Sequence, residues 1–387
     1  MTISRRTALQ MLTGAACAAA LPAHLALGAE ADGDSLQALA RRKGMGFGNA
    51  ISNSPNDARH GTGFQDPAYR ALMARECDVI VAENETKWPS MQPRPGSYEF
   101  APADQMFAWA RAQGMRIRGH NLVWQPARWL PKWVNQYDFG TQPALEAERL
   151  LRTHIGTVCG HFGTDIYSYD VVNEAVDPAD GALRSNVFTQ RLGAVEQIDL
   201  AFRLAREHAP HAQLVYNDYM SWDAGSARHR AGVLKLLHDL KARGTPVHAL
   251  GLQSHIGAHD DLAGGKTGAA ALEWRKFLDE ASAMGLDLLI TEFDVNDRQW
   301  PADIAARDAG VAALTRDYLD LTLSYPRLRD FLLWGMADNL SWLQHLDEAP
   351  RKDGLAMRPC PYDAQLRAKP LRTAIADALR AMPMRTA

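Results

Sequence analysis

Residues 166–175 read IYSYDVVNEA, a run of β-branched and aromatic residues that ends on an amide and a carboxylate. This composition is typical of a buried strand. Similar runs begin near Gly46, Val79, Arg116, Gln213, Ala249, Leu288 and Asp330. The eight runs start about 33 to 50 residues apart, so each interval has room for a strand, a loop, a helix and a return loop.

The segments between the runs predict helices, because apolar residues recur at i, i+3 and i+4 in 104–113, 195–209 and 228–242. Strands that alternate with helices form a parallel sheet, and eight such units close into a single (β/α)8 TIM barrel of the α/β class. A doubly wound open sheet is the alternative. It calls for a Gly-rich phosphate turn after an early strand, which this sequence lacks.

The N-terminal segment predicts an export signal. Arg5 and Arg6 form a twin-arginine pattern, an Ala-rich apolar run covers 11–21, and small residues up to Ala29 offer a cleavage site. The apolar run is shorter than the ~20 residues of a membrane span, although an uncleaved anchor remains the alternative. We expect residues 1–29 to be a signal peptide and residues 30–387 to form the barrel domain. The mature protein would then lie in the periplasm or the medium, with no stable membrane association.

The amino-acid composition limits the classes of molecule that the protein could bind. The formal net charge is -3 with no long block of like charge, which argues against a nucleic-acid partner. The ten tryptophans supply either additional core mass or flat rings for a sugar-binding cleft. Cys77, Cys159 and Cys360 lie beyond the signal and form no CxxC, so we expect buried apolar side chains and at most one disulfide. We expect a monomer.

Polar side chains cluster at the C-terminal ends of most runs, and the eighth run ends on Trp334. The polar residues are Glu83, Asn84, His120, Asn173, Glu174, Asn217, Asp218, Gln253, His255, Glu292 and Asp294. In a TIM barrel these ends meet on one face, where active sites lie. Solvent-facing strand caps explain one or two such positions but not the whole set, so this face is the predicted active site.

Two carboxylates suggest the chemistry. Glu174 ends the fourth run and Glu292 belongs to the seventh, on opposite sides of an eight-stranded barrel. Glycoside hydrolysis needs a carboxylic acid that protonates the leaving oxygen and a carboxylate on the other side of the sugar ring. A separation of about 5–5.5 Å gives retention, and a wider gap gives inversion. We assign Glu174 as general acid/base and Glu292 as nucleophile.

Three neighbours are expected to support this pair. As a strand neighbour of Glu292, His255 should hydrogen-bond that carboxylate and keep it ionised, while Asp294 holds the His255 ring. The negative charge of Glu292 should help to raise the pKa of Glu174. Asn173, beside the acid, is placed to bond a sugar 2-hydroxyl.

A metal site is the competing interpretation of the same face. The thirteen histidines include no HxH or HExxH pattern, so the sequence predicts no metal centre. The alternative is a metal held by single histidines that gather from two or three strand ends.

In combination these motifs resemble the glycoside hydrolase family 10 endo-β-1,4-xylanases, from about Gly46 to Ile375. The matching segments are 82–88 (AENETKW), 96–100 (GSYEF), 118–124 (RGHNLVW), 170–175 (DVVNEA), 217–219 (NDY), 253–255 (QSH), 290–294 (ITEFD) and 334–342 (WGMADNLSW). The resemblance implies a TIM barrel that hydrolyses xylan or xylo-oligosaccharides with retention and uses no cofactor.

The resemblance also implies substrate contacts. Those on the non-reducing side of the cut are Glu83, Asn84, Lys87 and His120, with Trp124 packed below; the others are Tyr219, Gln253 near the cut, and the cleft walls Trp334 and Trp342.

Two positions depart from the family pattern: Gln125 stands where a second His is common, and Thr86 where Met is usual. Gln125 cannot carry a charge, which predicts a shifted substrate preference or pH profile. Another retaining β-glycanase, cellulase-like or mixed-linkage, is the alternative within the fold. A sugar-binding protein without catalysis is the alternative from another class, and the intact carboxylate pair argues against it.

Overall fold

The computed structural model describes residues 35–53, 63–257, 265–346 and 351–385. The predicted signal peptide, residues 1–29, lies outside these ranges.

Nine strands occur in the described ranges. They are β1 (Gly46–Ile51), β2 (Val79–Ala82), β3 (Arg116–Trp124), β4 (Ile166–Asn173), β5 (Gln213–Asp218), β6 (Ala249–Leu252), β7 (His255–Gly257), β8 (Asp287–Asn296) and β9 (Leu328–Leu333). All named pairings are parallel, β1 pairs with both β2 and β9, and β6 pairs with both β5 and β8, so the sheet closes. The predicted TIM barrel is confirmed.

The sixth run is not one strand. It splits into β6 and β7 because Ser254 has a φ of 65°, a left-handed conformation that leaves strand geometry. The Ser254 hydroxyl lies 3.1 Å from the Leu252 carbonyl oxygen and 2.6 Å from the Tyr318 hydroxyl, and these contacts hold the break. The two short strands occupy one position in the barrel, so eight positions remain.

Helices lie between the strands, as expected. In the described ranges they are α1 (Leu36–Arg42), α2 (Pro67–Glu76), α3 (Trp88–Met91), α4 (Ala101–Ala112), α5 (Lys132–Asn135), α6 (Pro143–Phe162), α7 (Thr189–Leu192), α8 (Ala194–His208), α9 (Ala227–Ala242), α10 (Ala269–Ala283), α11 (Ile304–Thr322) and α12 (Pro370–Ala381). α6 shows how the sequence sets the ends: Pro143 occupies its first turn, and Gly163, with a φ of 51°, stops it. None of the described helices is both long and apolar enough to cross a membrane.

The barrel interior combines small apolar clusters with a buried ion pair on β3 and β4. Small clusters around Val81 and Val215 stand apart from the main core beneath the helices. On β3 and β4, however, Arg118 and Asp170 are both 0% exposed, and the Arg118 guanidinium donates to the Asp170 carboxylate at 2.5 Å. A buried charge is tolerated only when it is paired in this way.

The cysteines within the described ranges form no disulfide bond. Cys77, Cys159 and Cys360 are all buried, which confirms the favoured prediction for them.

Candidate active site

The predicted site residues gather at the C-terminal end of the barrel. β3, β4, β7 and β8 carry His120, Asn173, His255 and Glu292. The remaining site residues lie on β3, β5 and β8 or on the segments that follow β2, β4, β5, β6 and β9. The parallel barrel produces this convergence, because every strand ends on the same face.

Glu292 is enclosed by donors. Glu292 is only 5% exposed, and Asn217 Nδ2 donates to its Oε1 at 2.7 Å. His255 Nε2 lies 3.4 Å from Oε2, and His120 Nδ1 lies 4.0 Å from Oε1. Burial acts to raise the pKa of Glu292, but the charge of His120 and the charge and hydrogen bond of His255 outweigh it and hold that pKa below its usual value.

His255 is held as a cation. Its Nδ1 lies 3.0 Å from Asp294 Oδ1, and Trp342 Nε1 donates to the other Asp294 oxygen at 2.6 Å. Burial acts to lower the pKa of His255, but Asp294 and Glu292 together raise it to about 10. The register pairs His255 with Asp294 across β7 and β8, and the other ring nitrogen of His255 reaches Glu292.

Glu174 has different surroundings. It follows β4 with a φ of 59°, and its N–H donates to the Asn217 carbonyl at 2.9 Å. Its Oε1 accepts from Gln253 Nε2 at 3.1 Å and from Asn173 Nδ2 at 3.3 Å. Burial raises the pKa of Glu174, as do the charges of Asp218 and Glu292, while hydrogen bonds from Trp124 and Gln253 work against the rise. Asp218 therefore adds to the effect expected from Glu292.

An amide network joins the two carboxyls. Asn217 Nδ2 donates to Asn173 Oδ1 at 2.9 Å as well as to Glu292, and Thr291 Oγ1 donates to Asn217 Oδ1 at 2.7 Å. The Gln253 carbonyl accepts from the Glu292 N–H at 3.0 Å, while its side chain reaches Glu174. Neither glutamate can therefore shift without disturbing hydrogen bonds to the other.

His120 rests on the ionic pair inside the barrel. Its Nδ1 lies 2.9 Å from Asp170 Oδ2, the carboxylate that also binds Arg118. The Thr86 hydroxyl donates to the His120 carbonyl. Thr86 therefore secures β3 through a donor that a methionine at this position does not have.

Lys87 lies between aromatic rings and acids. Its Nζ donates to Asn84 Oδ1 at 3.0 Å and lies 4.7 Å from the centre of the Trp124 ring and 5.9 Å from that of Trp334. Burial lowers the pKa of Lys87, and the charges of Glu83, Glu292 and Glu174 oppose that effect.

Gln125 does not contact either glutamate through its side chain. Its Nε2 donates to Gln197 Oε1 at 2.6 Å, and its N–H donates to the Asn173 carbonyl at 2.9 Å. The side chain is buried against α8, so this departure from the family pattern changes a contact with that helix and not a contact with either glutamate.

Sequence reasoning assigned no role to several residues that shape the site. Arg184 donates to the Tyr219 hydroxyl at 2.7 Å and to Asp177 at 2.9 Å, and Trp129 stacks on Trp124. Both lie on loops, where no periodicity marks them. Arg118 and Asp170 did carry a signal, because opposite charges stand inside two adjacent apolar strands.

No set of three or more potential metal ligands is found in the described ranges.

Comparisons with known proteins agree with the geometry. A family model described as "Glycosyl hydrolase family 10" matches residues 35–378. Endo-1,4-beta-xylanase B of Paenibacillus barcinonensis is 30% identical over 308 residues, 77% of this chain and 87% of that protein. Native xylanase 10B from Thermotoga maritima superimposes with a TM-score of 0.76 at 28% identity, covering 89% of this chain and 98% of that one. Xylanase 10B from Thermotoga petrophila RKU-1, solved with xylobiose, gives 0.76 at 27% identity, covering 89% and 97%.

Proposed function

The chain belongs to glycosyl hydrolase family 10, and on that premise we propose that it is an endo-1,4-β-xylanase that cuts internal β-1,4 bonds of xylan with retention. In this proposal Glu292 is the nucleophile and Glu174 the general acid/base. The observation that carries it is the opposite electrostatic bias on two glutamates that share one amide network: the pKa of Glu174 is raised and that of Glu292 is lowered. Two carboxyls divided in this way suit an acid and a nucleophile.

In the first step Glu292 attacks the anomeric carbon as a carboxylate. The bond to the leaving oxygen breaks, and that oxygen takes the proton of Glu174. His255 and Asn217 donate to the Glu292 oxygens, at 3.4 and 2.7 Å, so they stabilise the anion that attacks and hold its orientation.

In the second step the charge on Glu292 has been consumed in the glycosyl ester. One of the charges that raises the pKa of Glu174 is then absent, and Glu174, now deprotonated, takes a proton from water as the water attacks. Hydrolysis of the ester restores both groups.

The substrate proposal follows from the cleft. Asn84, Lys87 and Glu83 offer hydrogen-bonding groups suited to sugar hydroxyls, and Trp334 and Trp342 provide flat walls. The similarity to a xylanase solved with xylobiose supports a xylo-oligosaccharide in this position.

Replacement of each glutamate tests the mechanism. Glu292→Ala should abolish hydrolysis of an aryl xylobioside while the protein still binds xylo-oligosaccharides; near-normal turnover would refute the assignment. Glu174→Ala with added azide should regain activity and release a β-glycosyl azide, because the azide attacks the glycosyl ester from the face that water uses. An α-glycosyl azide would mean inversion.

A panel of xylan, carboxymethylcellulose and mixed-linkage glucan, with product sizing, tests the substrate. Xylan should be cut into mixed oligomers. Faster release from either glucan would favour a cellulase-like enzyme instead.

We further propose that residues 1–29 direct export by the twin-arginine route and that the mature enzyme acts as a monomer in the periplasm or the medium. Arg5→Lys together with Arg6→Lys should retain the protein in the cytoplasm. Sedimentation of the exported protein tests the monomer.

A further inference from the structure

The loop after β3 carries an aromatic stack that ends in a cation. Trp129 is 37% exposed and stacks on Trp124, with ring centres 4.3 Å apart and planes 9° apart. The guanidinium carbon of Arg128 lies 5.1 Å from the centre of the Trp129 ring. The loop is anchored by Asn135 Nδ2, which donates to the Ala127 carbonyl at 2.7 Å, and by the buried side chain of Leu130.

This stack links the exposed Trp129 to Trp124, which contacts Lys87 of the site. Rings 4.3 Å apart leave no space between them, so Lys87, over the Trp124 ring, lies on the face away from Trp129. Trp124 also hydrogen-bonds Glu174. The exposed Arg128 side chain is therefore two ring contacts away from Lys87, which the family resemblance assigns to sugar binding.

Arg128 differs from the other cations of the site in its partners. Lys87 lies near Glu83, and His255 contacts Asp294. Throughout the parts of the chain that the structure describes, the Arg128 guanidinium has the Trp129 ring as a neighbour but no carboxylate. The contact with the Trp129 ring restrains the guanidinium without using its N–H groups, which reduces the entropy lost when an anion binds.

We propose that Arg128 binds the carboxylate of a uronic-acid branch on the xylan chain and makes the enzyme prefer acidic over neutral substrate. This inference rests on the proposed function. A xylose backbone is neutral, so an unpaired guanidinium at the rim has a partner only if a branch brings a carboxylate there, and the fork of N–H groups matches that carboxylate in two parallel hydrogen bonds.

The test compares three xylo-oligosaccharides of equal length: one unbranched, one with a single uronic-acid branch, and the same branched molecule with its carboxyl reduced to an alcohol. Arg128→Gln should lower kcat/KM on the acidic oligosaccharide by about fivefold, as expected for an exposed ion pair, and leave the two neutral ones unchanged. Raised salt should shrink the difference between wild type and variant. Arg41→Gln, which removes a charge beside Asp78 at the opposite end of the barrel, is the matched control and should change none of the three.

Two results would overturn the proposal. One is an unchanged preference for the acidic oligosaccharide in Arg128→Gln; the other is an equal loss on all three substrates, which would mean that Arg128 supports the cleft structurally. Failure of the wild type to cut the unbranched oligosaccharide would instead refute the proposed xylanase activity.

Discussion

Glu174 and Glu292 carry opposite pKa shifts because different charges surround them. Asp218 lies near the first, and two histidines lie near the second. On this basis kcat/KM should follow a bell-shaped pH profile. It should fall in acid as Glu292 becomes protonated and fall in base as Glu174 loses its proton.

His255→Gln should move the acidic limb of that profile to higher pH. Removing the imidazolium, whose pKa is about 10, takes away a positive charge 3.4 Å from Glu292 that keeps the pKa of this carboxyl low. The pH dependence of kcat/KM measures the shift. His238→Gln, a change at an exposed histidine paired with Glu280, should leave the limb in place; an unmoved limb in His255→Gln would mean that the charge of His255 does not act on Glu292.

Arg118→Met should lower the free energy of unfolding by roughly 3–5 kcal/mol, because it leaves the buried Asp170 carboxylate without its guanidinium partner. Denaturant titration gives the value. The matched control is Arg111→Ala, which breaks the exposed pair with Asp165 and should cost about 0–1 kcal/mol. Equal losses in the two variants would contradict the argument.

At the scale of elements, β1 approaches β2 so closely that residue 48 must lack a side chain. A Cβ at Gly48 would lie 2.4 Å from the Val79 carbonyl oxygen and 2.8 Å from the Val79 Cβ. Gly48→Ala should therefore destabilise the fold by ~1–3 kcal/mol, as overpacking does.

Gly160→Ala is the companion change to Gly48→Ala. Gly160 lies inside α6 and faces open space, so the added methyl group should stabilise the protein by about 0.5–1 kcal/mol through helix propensity. Thermal unfolding of the two variants should move in opposite directions. A destabilised Gly160→Ala would show that the helix does not have the free space described.

The strands were predictable for a physical reason. Parallel strands are covered on both faces, so each appears as a nearly continuous apolar run bounded by turns. Ser254 was not predictable, because serine seldom adopts a positive φ and nothing local marks the break. The pairing of His255 with Asp294 depends on that break, and the positions of Trp129 and Arg184 depend on loop conformations. The residue types of the site could be read from strand ends, but their mutual contacts could not.

At the scale of the whole molecule, the thiols that the structure describes all lie in the protein interior. Cys77 follows α2, Cys159 lies in α6, and Cys360 lies before α12, and all three are buried. Burial raises the pKa of each thiol, that of Cys159 to about 12, so none should react in the folded protein.

A thiol reagent should therefore leave these three cysteines unmodified in the native state and modify all of them in denaturant, as peptide mapping would reveal. The same mapping separates them from Cys17. Modification of any of the three in fully active protein would contradict the burial described, and a reducing agent should leave the unfolding temperature unchanged.

Asp170 contacts both a structural residue and a residue of the active site. It pairs with Arg118 inside the barrel and contacts the ring of His120, whose charge helps to keep Glu292 ionised. The pKa of Asp170 is lowered: burial opposes ionisation, but Arg118 and His120 outweigh it. Stability from this carboxylate is therefore present above its unfolded pKa and disappears as the pH falls through its folded value. A change that adapts this enzyme to lower pH at Asp170 would therefore alter its stability and its catalytic turnover together, because both depend on this carboxylate.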